Sequence, residues 1–313
     1  MTSLKAPFPY FGGKSRVAEE VWSRFGPDVR NYVEPFCGSM AVLLHQDNPV
    51  TYETVNDLDG LLTNFWRAIK FDPEGVAALA QAPQSQIDLM ARHNWVYERK
   101  ERIIEMQKDP RWYDVEAAAY WVYVRCNLIG GRGAFSEKIG SRVPNQGRGQ
   151  GIHTLRMRHN LVEYFGELSD RLWEVTIQCG DWQQVLKTPL KEPGTPAAVF
   201  LDPPYKASEV DTDIYEHFDS HVFNDVLEWC VEHGEDPDLR IALCGYDGNA
   251  TKLPETWTTW GWTTDGGYSN ISCKETRGKD NASRERIWFS PHCYDPTDLD
   301  NTLIGNFITE GEQ

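Results

Sequence analysis

The sequence predicts an α/β fold: a doubly wound, largely parallel sheet interrupted by a long, mostly helical insertion. Two observations place the sheet. An apolar run at residues 31–36 (NYVEPF) passes through Cys37-Gly38-Ser39 into the apolar string 40–44, which has helix-compatible spacing. A second run at 50–55 (VTYETV) ends in Asn56-Asp57, after which Leu58, Leu61, Leu62, Phe65, Trp66 and Ile69 recur at helical spacing. Successive strand–helix units imply parallel strands, because a parallel crossover needs a helix-length connection. The third observation is that this alternation stops near residue 72 and returns near 174.

Between those limits, helical stretches at 76–82, 87–107 and 115–128 lead into a Gly/Arg-rich loop from Gly130-Gly131-Arg132-Gly133 to Gly147-Arg148-Gly149. Strands are expected again at 174–179 (EVTIQC), 197–201 (AAVFL) and 240–244 (RIALC), with an amphipathic helix at 220–232. Short β-like pieces at 257–264, 268–274 and 284–289 read as antiparallel strands at the sheet edge. The expected division is therefore 1–71 with 161–290 as the sheet domain, 72–160 as the insertion, and 291–313 as an acidic tail.

Composition bounds the partners. The 313 residues include 40% hydrophobic and 25% charged side chains, enough apolar surface to fold. No apolar run is long enough to span a membrane, and the first residues lack a signal-peptide core, so a cytoplasmic location is expected, with no membrane partner. Seven cysteines, each at least 14 residues from the next, form no metal-ligand spacing, and the eight histidines form no HExxH; no metal is expected. The formal charge of −16 argues against a protein that coats nucleic acid with its whole surface. Its distribution is uneven. Residues 121–160 carry Arg125, Arg132, Lys138, Arg142, Arg148, Arg156 and Arg158 against Glu137, a formal +6 that leaves −22 on the rest. Such a segment, with Asn127, Asn145 and Gln146 interspersed, suits phosphates and base edges; a solvated basic loop is the alternative.

The most informative string is Asp202-Pro203-Pro204-Tyr205, directly after the apolar run 197–201. The carboxyl end of a parallel strand is where open α/β sheets place ligand chemistry. An exocyclic amine such as adenine N6 is a poor nucleophile, its lone pair being delocalised into the ring. A carboxylate and the Pro203 carbonyl can hold its hydrogens and favour a pyramidal nitrogen, while Tyr205 offers a face on which a base can stack. A proline turn capped by Asp is the plainer alternative.

Taken with Tyr10-Phe11-Gly12-Gly13-Lys14, Glu34-Pro35-Phe36-Cys37-Gly38 and Asn56-Asp57, in that order, this string resembles the D12-class, Dam-like DNA adenine-N6 methyltransferases. The resemblance runs from Pro9 to about Ser290. It implies a Rossmann-like methyltransferase sheet, S-adenosylmethionine as cofactor, double-stranded DNA as substrate, methylation of a flipped adenine, and either a cognate restriction endonuclease or none. It also implies that the insertion is the target-recognition domain, and that Asp202, Pro203, Pro204 and Tyr205 are catalytic.

Further roles follow from the same resemblance. Glu34, Pro35, Phe36 and Gly38 wrap the cofactor; Tyr10, Phe11, Gly12, Gly13 and Lys14 flank its methionine end, with Lys14 near the target base. Asp181 and Trp182 hold its adenine, and Asp202 also borders it. Asp57 sits where an acid accepts both ribose hydroxyls, although from the residues alone Asp57 and Asp181 read equally as helix N-caps. The DNA contacts expected are Arg125, Asn127, Arg132, Lys138, Arg142 and Arg148. Two departures stand out: Met40 replaces a second glycine that many relatives carry, and the stretch Arg125 to Gly133 differs from that of GATC-specific relatives. Cytosine N4 or RNA adenine as acceptor, and a catalytically silent DNA-binding protein, are the competing readings. A nicotinamide dehydrogenase lacks the GxGxxG it needs.

Overall fold

The computed structural model describes residues 4–10, 13–46, 49–107, 109, 111–127, 151–154, 160–187, 195–204, 221–261 and 285–295. Seven strands form one sheet: β1 (Asn31–Glu34), β2 (Tyr52–Asp57), β3 (Thr176–Cys179), β4 (Ala197–Leu201), β5 (Leu239–Tyr246), β6 (Thr258–Gly261) and β7 (Glu285–Phe289). Their order is β3-β2-β1-β4-β5-β7-β6. The first five are parallel, and β7 pairs antiparallel with both β5 and β6. The chain thus winds from β1 outward through β2 and β3, then restarts at β4 on the other side of β1, the topology of a Rossmann-like methyltransferase sheet.

Strand alternation divides the core in two. Tyr32, Ala198, Phe200, Ala242, Cys244, Ile287 and Phe289 face one side. That side is covered by α1 (Ala18–Phe25), α2 (Gly60–Phe71), α3 (Pro73–Ala80), α4 (Gln86–Ile103), α5 (Val115–Asn127) and α6 (Leu161–Leu172). Val33, Ala197, Val199, Leu201, Ile241 and Leu243 face the other, under α7 (Gln183–Lys187) and α8 (Val222–His233). β4 and β5 are buried at every residue, as expected of central parallel strands covered on both faces.

Local signals explain the helices. Ala18, Val21, Trp22 and Phe25 give α1 one buried stripe. Asp59 caps α2 by accepting from the N–H groups of Leu61 and Leu62; Asp72 caps α3, with Pro73 in its first turn. The helices of the expected insertion share the core of the sheet layer: Trp121 of α5 packs edge-on to Phe8 with ring centroids 4.9 Å apart and lies 5.4 Å from Phe65 of α2.

Several elements differ from expectation. The string 40–44 is not an α-helix but a turn followed by one turn of 3₁₀ helix, Leu43–His45. Met40 has a left-handed φ of 53°, and the Val42 carbonyl accepts from both Trp22 Nε1 and the His45 N–H, an i+3 bond in place of the i+4 bond of an α-helix. β1 stops at Glu34, before Pro35, and β2 runs on through Asn56 and Asp57. The helix expected at 87–107 is α-helical to Ile103 and 3₁₀ through Gln107. The helices α1 and α6 were not anticipated. The tail expected from 291 begins as packed structure: Tyr294 N–H donates to the Arg24 carbonyl, and Arg240 stacks on the Tyr294 ring. The strand expected at 268–274, the Gly/Arg-rich loop and residues 296–313 lie outside the described residues. Among the described residues, no helix is long and apolar enough to cross a membrane.

Candidate active site

Strand order reverses between β1 and β4, which opens a crevice at their carboxyl ends. Four predicted acids lie along that edge: Glu34 ends β1, Asp57 ends β2, Asp181 follows β3 and Asp202 follows β4.

The turn after β1 is tightly held. Gly38 has φ +44°, and a Cβ there would lie 2.5 Å from the Tyr10 ring, so glycine allows both the backbone conformation and the ring's approach. The Gly38 carbonyl accepts from Trp66 Nε1 at 3.0 Å, and its N–H donates to Asp57 Oδ2 at 2.9 Å. Met40 holds a left-handed backbone, a conformation that glycine adopts without strain. Its strain of about 1–2 kcal/mol is offset by full burial of the side chain, worth about 1.5–3 kcal/mol.

Asn56 ties three strand ends together. Its buried Nδ2 donates to the carbonyls of Pro35, after β1, and Gly180, after β3, at 3.0 and 2.9 Å. Asp57 is not the N-cap of α2; Asp59 is. Burial, with repulsion from Asp59, pushes the Asp57 carboxyl up to about 6, against the hydrogen bonds it accepts from the backbone N–H groups of Asp59 and Gly38. Asp181 does act as a cap, its Oδ1 accepting from the Gln183 N–H at 2.8 Å, and it is exposed at the rim. Trp182 is buried, with the half-buried Phe36 ring against it at 5.9 Å.

Glu34 is 2% exposed and accepts from the Tyr32 hydroxyl at 2.9 Å; burial raises its carboxyl well above the ordinary range despite that bond. Lys14, 5% exposed, forms an ion pair with Asp202 Oδ2 at 2.8 Å. Burial alone would depress the ammonium, but the Asp202 carboxylate beside it holds it above its usual value. The Asp202 side chain is 21% exposed, so the pair reaches the crevice. Pro203 is buried behind it and Pro204 half-buried.

Tyr10, Gly13, Lys14, Glu34, Pro35, Phe36, Gly38, Asp57, Asp181, Trp182 and Asp202 thus border one edge of the sheet. Phe11, Gly12, Tyr205, Arg132, Lys138, Arg142 and Arg148 lie outside the described residues. Arg125 stacks over the rings of Tyr10 and Trp121, 5.4 and 5.6 Å from their centroids. Asn127, expected to contact DNA, is instead 1% exposed with its amide engaged at both ends: Nδ2 donates to the Tyr123 carbonyl and to His153 Nε2, and Oδ1 accepts from Gln84. It secures the end of α5 rather than presenting an edge to a base.

Sequence reasoning missed the bridging role of Asn56 and the Tyr32 hydroxyl on Glu34, although both lie close to strand ends. Among the described residues, no cluster of three or more His, Cys, Asp or Glu side chains is arranged to hold a metal.

The family model for the D12 class N6 adenine-specific DNA methyltransferases matches residues 10–225, about two thirds of the chain. No curated protein sequence matches it.

Proposed function

The chain belongs to the D12 class N6 adenine-specific DNA methyltransferases, and from that premise we propose that it transfers a methyl group from S-adenosylmethionine to N6 of an adenine flipped out of duplex DNA. The observation that carries this reading is the Lys14–Asp202 ion pair at the carboxyl end of β4, immediately before Pro203. It puts a fixed carboxylate and the start of the proline turn where open α/β sheets bind ligands.

The residues along the edge fit a cationic nucleoside. Glu34 offers a buried carboxyl that a positive group beside it would help to ionise, Asp57 an acid to a diol, and Asp181 an exposed acid to an amino group, with Phe36 over Trp182 as the apolar wall. When bound, the cofactor supplies a methyl group on a positively charged sulfur, an electrophile with a neutral leaving group. Asp202 and the Pro203 carbonyl then accept hydrogens from the amine, which localises its lone pair. Lys14 orients the Asp202 carboxylate and lowers its energy as an anion. A strong base is unnecessary, because the amine becomes acidic as the new bond forms; Asp202 takes the proton. Tyr205 stacks on the flipped base.

Residues 72–160 form the recognition region in this proposal, with Arg132, Lys138, Arg142 and Arg148 on DNA and Arg125 supporting Tyr10. Single-molecule sequencing of DNA from cells expressing the chain tests the proposal. A recurrent N6-methyladenine motif is expected; DNA with no new modification, or with methyl groups on cytosine N4, would reject adenine as the acceptor.

A further inference from the structure

The basic segment 128–150 lies outside the described residues, but the residues that flank it on either side do not. The chain leaves α5 at Asn127 and returns in a turn of 3₁₀ helix, Gly151–His153. Between those points stand Arg132, Lys138, Arg142 and Arg148 against Glu137. One hydrogen bond joins the two ends: Asn127 Nδ2 lies 2.7 Å from His153 Nε2.

The direction of that bond is fixed by its neighbours. The Tyr123 carbonyl can only accept, so the Asn127 amide nitrogen faces it at 2.8 Å, and Oδ1 is left to accept from Gln84 Nε2 at 2.8 Å. His153 Nε2 must therefore accept from the second amide hydrogen, which puts the ring proton on Nδ1. The Tyr123 ring meets the imidazole edge-on, with centroids 5.2 Å apart. Gly151 has φ +52°, and a Cβ there would lie 2.2 Å from the Pro7 carbonyl oxygen and 2.6 Å from Cys126 Sγ. Cys126 Sγ itself donates to that carbonyl, and Phe8, next in the chain, packs edge-on to Tyr10. The returning chain thus lies against both α5 and the residues that lead to the crevice.

We propose that the Asn127–His153 bond sets how the basic segment is presented to DNA, which makes both residues specificity-positioning residues that act through the segment between them. This rests on the functional reading above. A segment whose ends are not held together must be ordered further when it binds, and that entropy is lost from affinity. Phosphate contacts tolerate some displacement, whereas hydrogen bonds to base edges need fixed geometry. Joining the ends should therefore matter most for duplexes that carry the methylated motif.

The test compares wild type, His153→Phe and His153→Gln by fluorescence anisotropy on two duplexes, one carrying the methylated motif found by sequencing and one lacking it. Single-turnover methyl transfer, cofactor affinity and melting temperature are measured alongside. Phenylalanine keeps a ring on Tyr123 and removes the acceptor; glutamine restores an acceptor through Oε1. His153→Phe should weaken binding to the motif duplex about tenfold, the share of one net hydrogen bond, and to the other duplex by less than about threefold. The transfer rate at saturating DNA and the cofactor affinity should stay within about threefold of wild type. His153→Gln should recover most of the lost discrimination. Equal weakening on both duplexes, or unchanged binding to both, would overturn the inference, as would His153→Gln discriminating no better than His153→Phe. Nitrogen NMR of the wild-type histidine rings needs no variant to fold: His153 should carry its proton on Nδ1 at neutral pH, and the Nε2–H form would overturn the inference. A wild type that transfers no methyl group would overturn the functional reading and this inference with it.

Discussion

The backbone N–H of Gly38 donates to the Asp57 carboxylate at 2.9 Å, so the acid at the end of β2 is part of the turn that follows β1. Asn56 extends the same construction to the loop after β3. The crevice is therefore held by hydrogen bonds between strand ends, and changes at any of them should be felt at the others.

Asp57 gives this coupling a pH signature. Its carboxyl rises from 3.8 to about 6 in the folded protein, mainly through burial. The folded state thus holds this proton more tightly than the unfolded chain does. The stability it contributes is complete below about 4 and lost as pH rises through about 6. Ribose hydroxyls donate better to the ionised acid, so S-adenosylmethionine affinity should run the other way, weakening as pH falls through that range. Calorimetric titration should show Asp57→Asn removing this dependence, with the contribution of Glu34 remaining; an unchanged pH profile would separate Asp57 from the cofactor.

Gly38→Ala should destabilise the fold by about 1–3 kcal/mol, through a left-handed backbone and a Cβ driven into the Tyr10 ring. Cofactor affinity should fall with it. Thermal melting and equilibrium titration check both, and a variant with wild-type melting would show that the ring simply moves aside.

Asn56→Ala leaves the buried carbonyls of Pro35 and Gly180 without their shared donor, at a cost of about 1–3 kcal/mol. Because those carbonyls belong to the turns carrying Phe36 and Asp181, the loss should also weaken cofactor binding. Binding unaltered in the face of the lower melting temperature would confine Asn56 to stability.

The sheet and the crevice were legible because apolar runs ended in Gly, Asn-Asp or Pro-Pro, punctuation that marks strand ends whatever follows. Residues 40–44 misled for the opposite reason: a string buried on all sides has no polar face, so spacing cannot tell a helix from a packed turn. The stripe of α6, Leu161, Phe165, Leu168 and Leu172, stands in the sequence at helical spacing, just past the boundary set at 160 for the insertion, and was not read as a helix. Asp57 read as a possible helix cap, whereas Asp59 takes that role by accepting from the N–H groups of Leu61 and Leu62. Asn127 looked like a base reader because an amide beside an arginine gives no hint that Gln84 and His153 will occupy it.

The charge division gives a further prediction. With +6 confined to residues 121–160 and −22 elsewhere, duplex binding should fall steeply with salt, since the body repels what the segment attracts. Alanine at Arg132, Lys138, Arg142 or Arg148 should lower the salt slope by about one each where the residue meets phosphate. Fluorescence anisotropy across a salt series measures this, and a flat response would contradict the divided-charge picture.

The central claim is tested most directly by incubating the protein with duplex DNA and S-adenosylmethionine labelled on the methyl group, then separating the nucleosides of the digested DNA. Label in N6-methyldeoxyadenosine with the wild-type protein, and none with Asp202→Ala that still binds the cofactor, is the predicted result. Unlabelled DNA from the wild type, or equal labelling by Asp202→Ala, would contradict it.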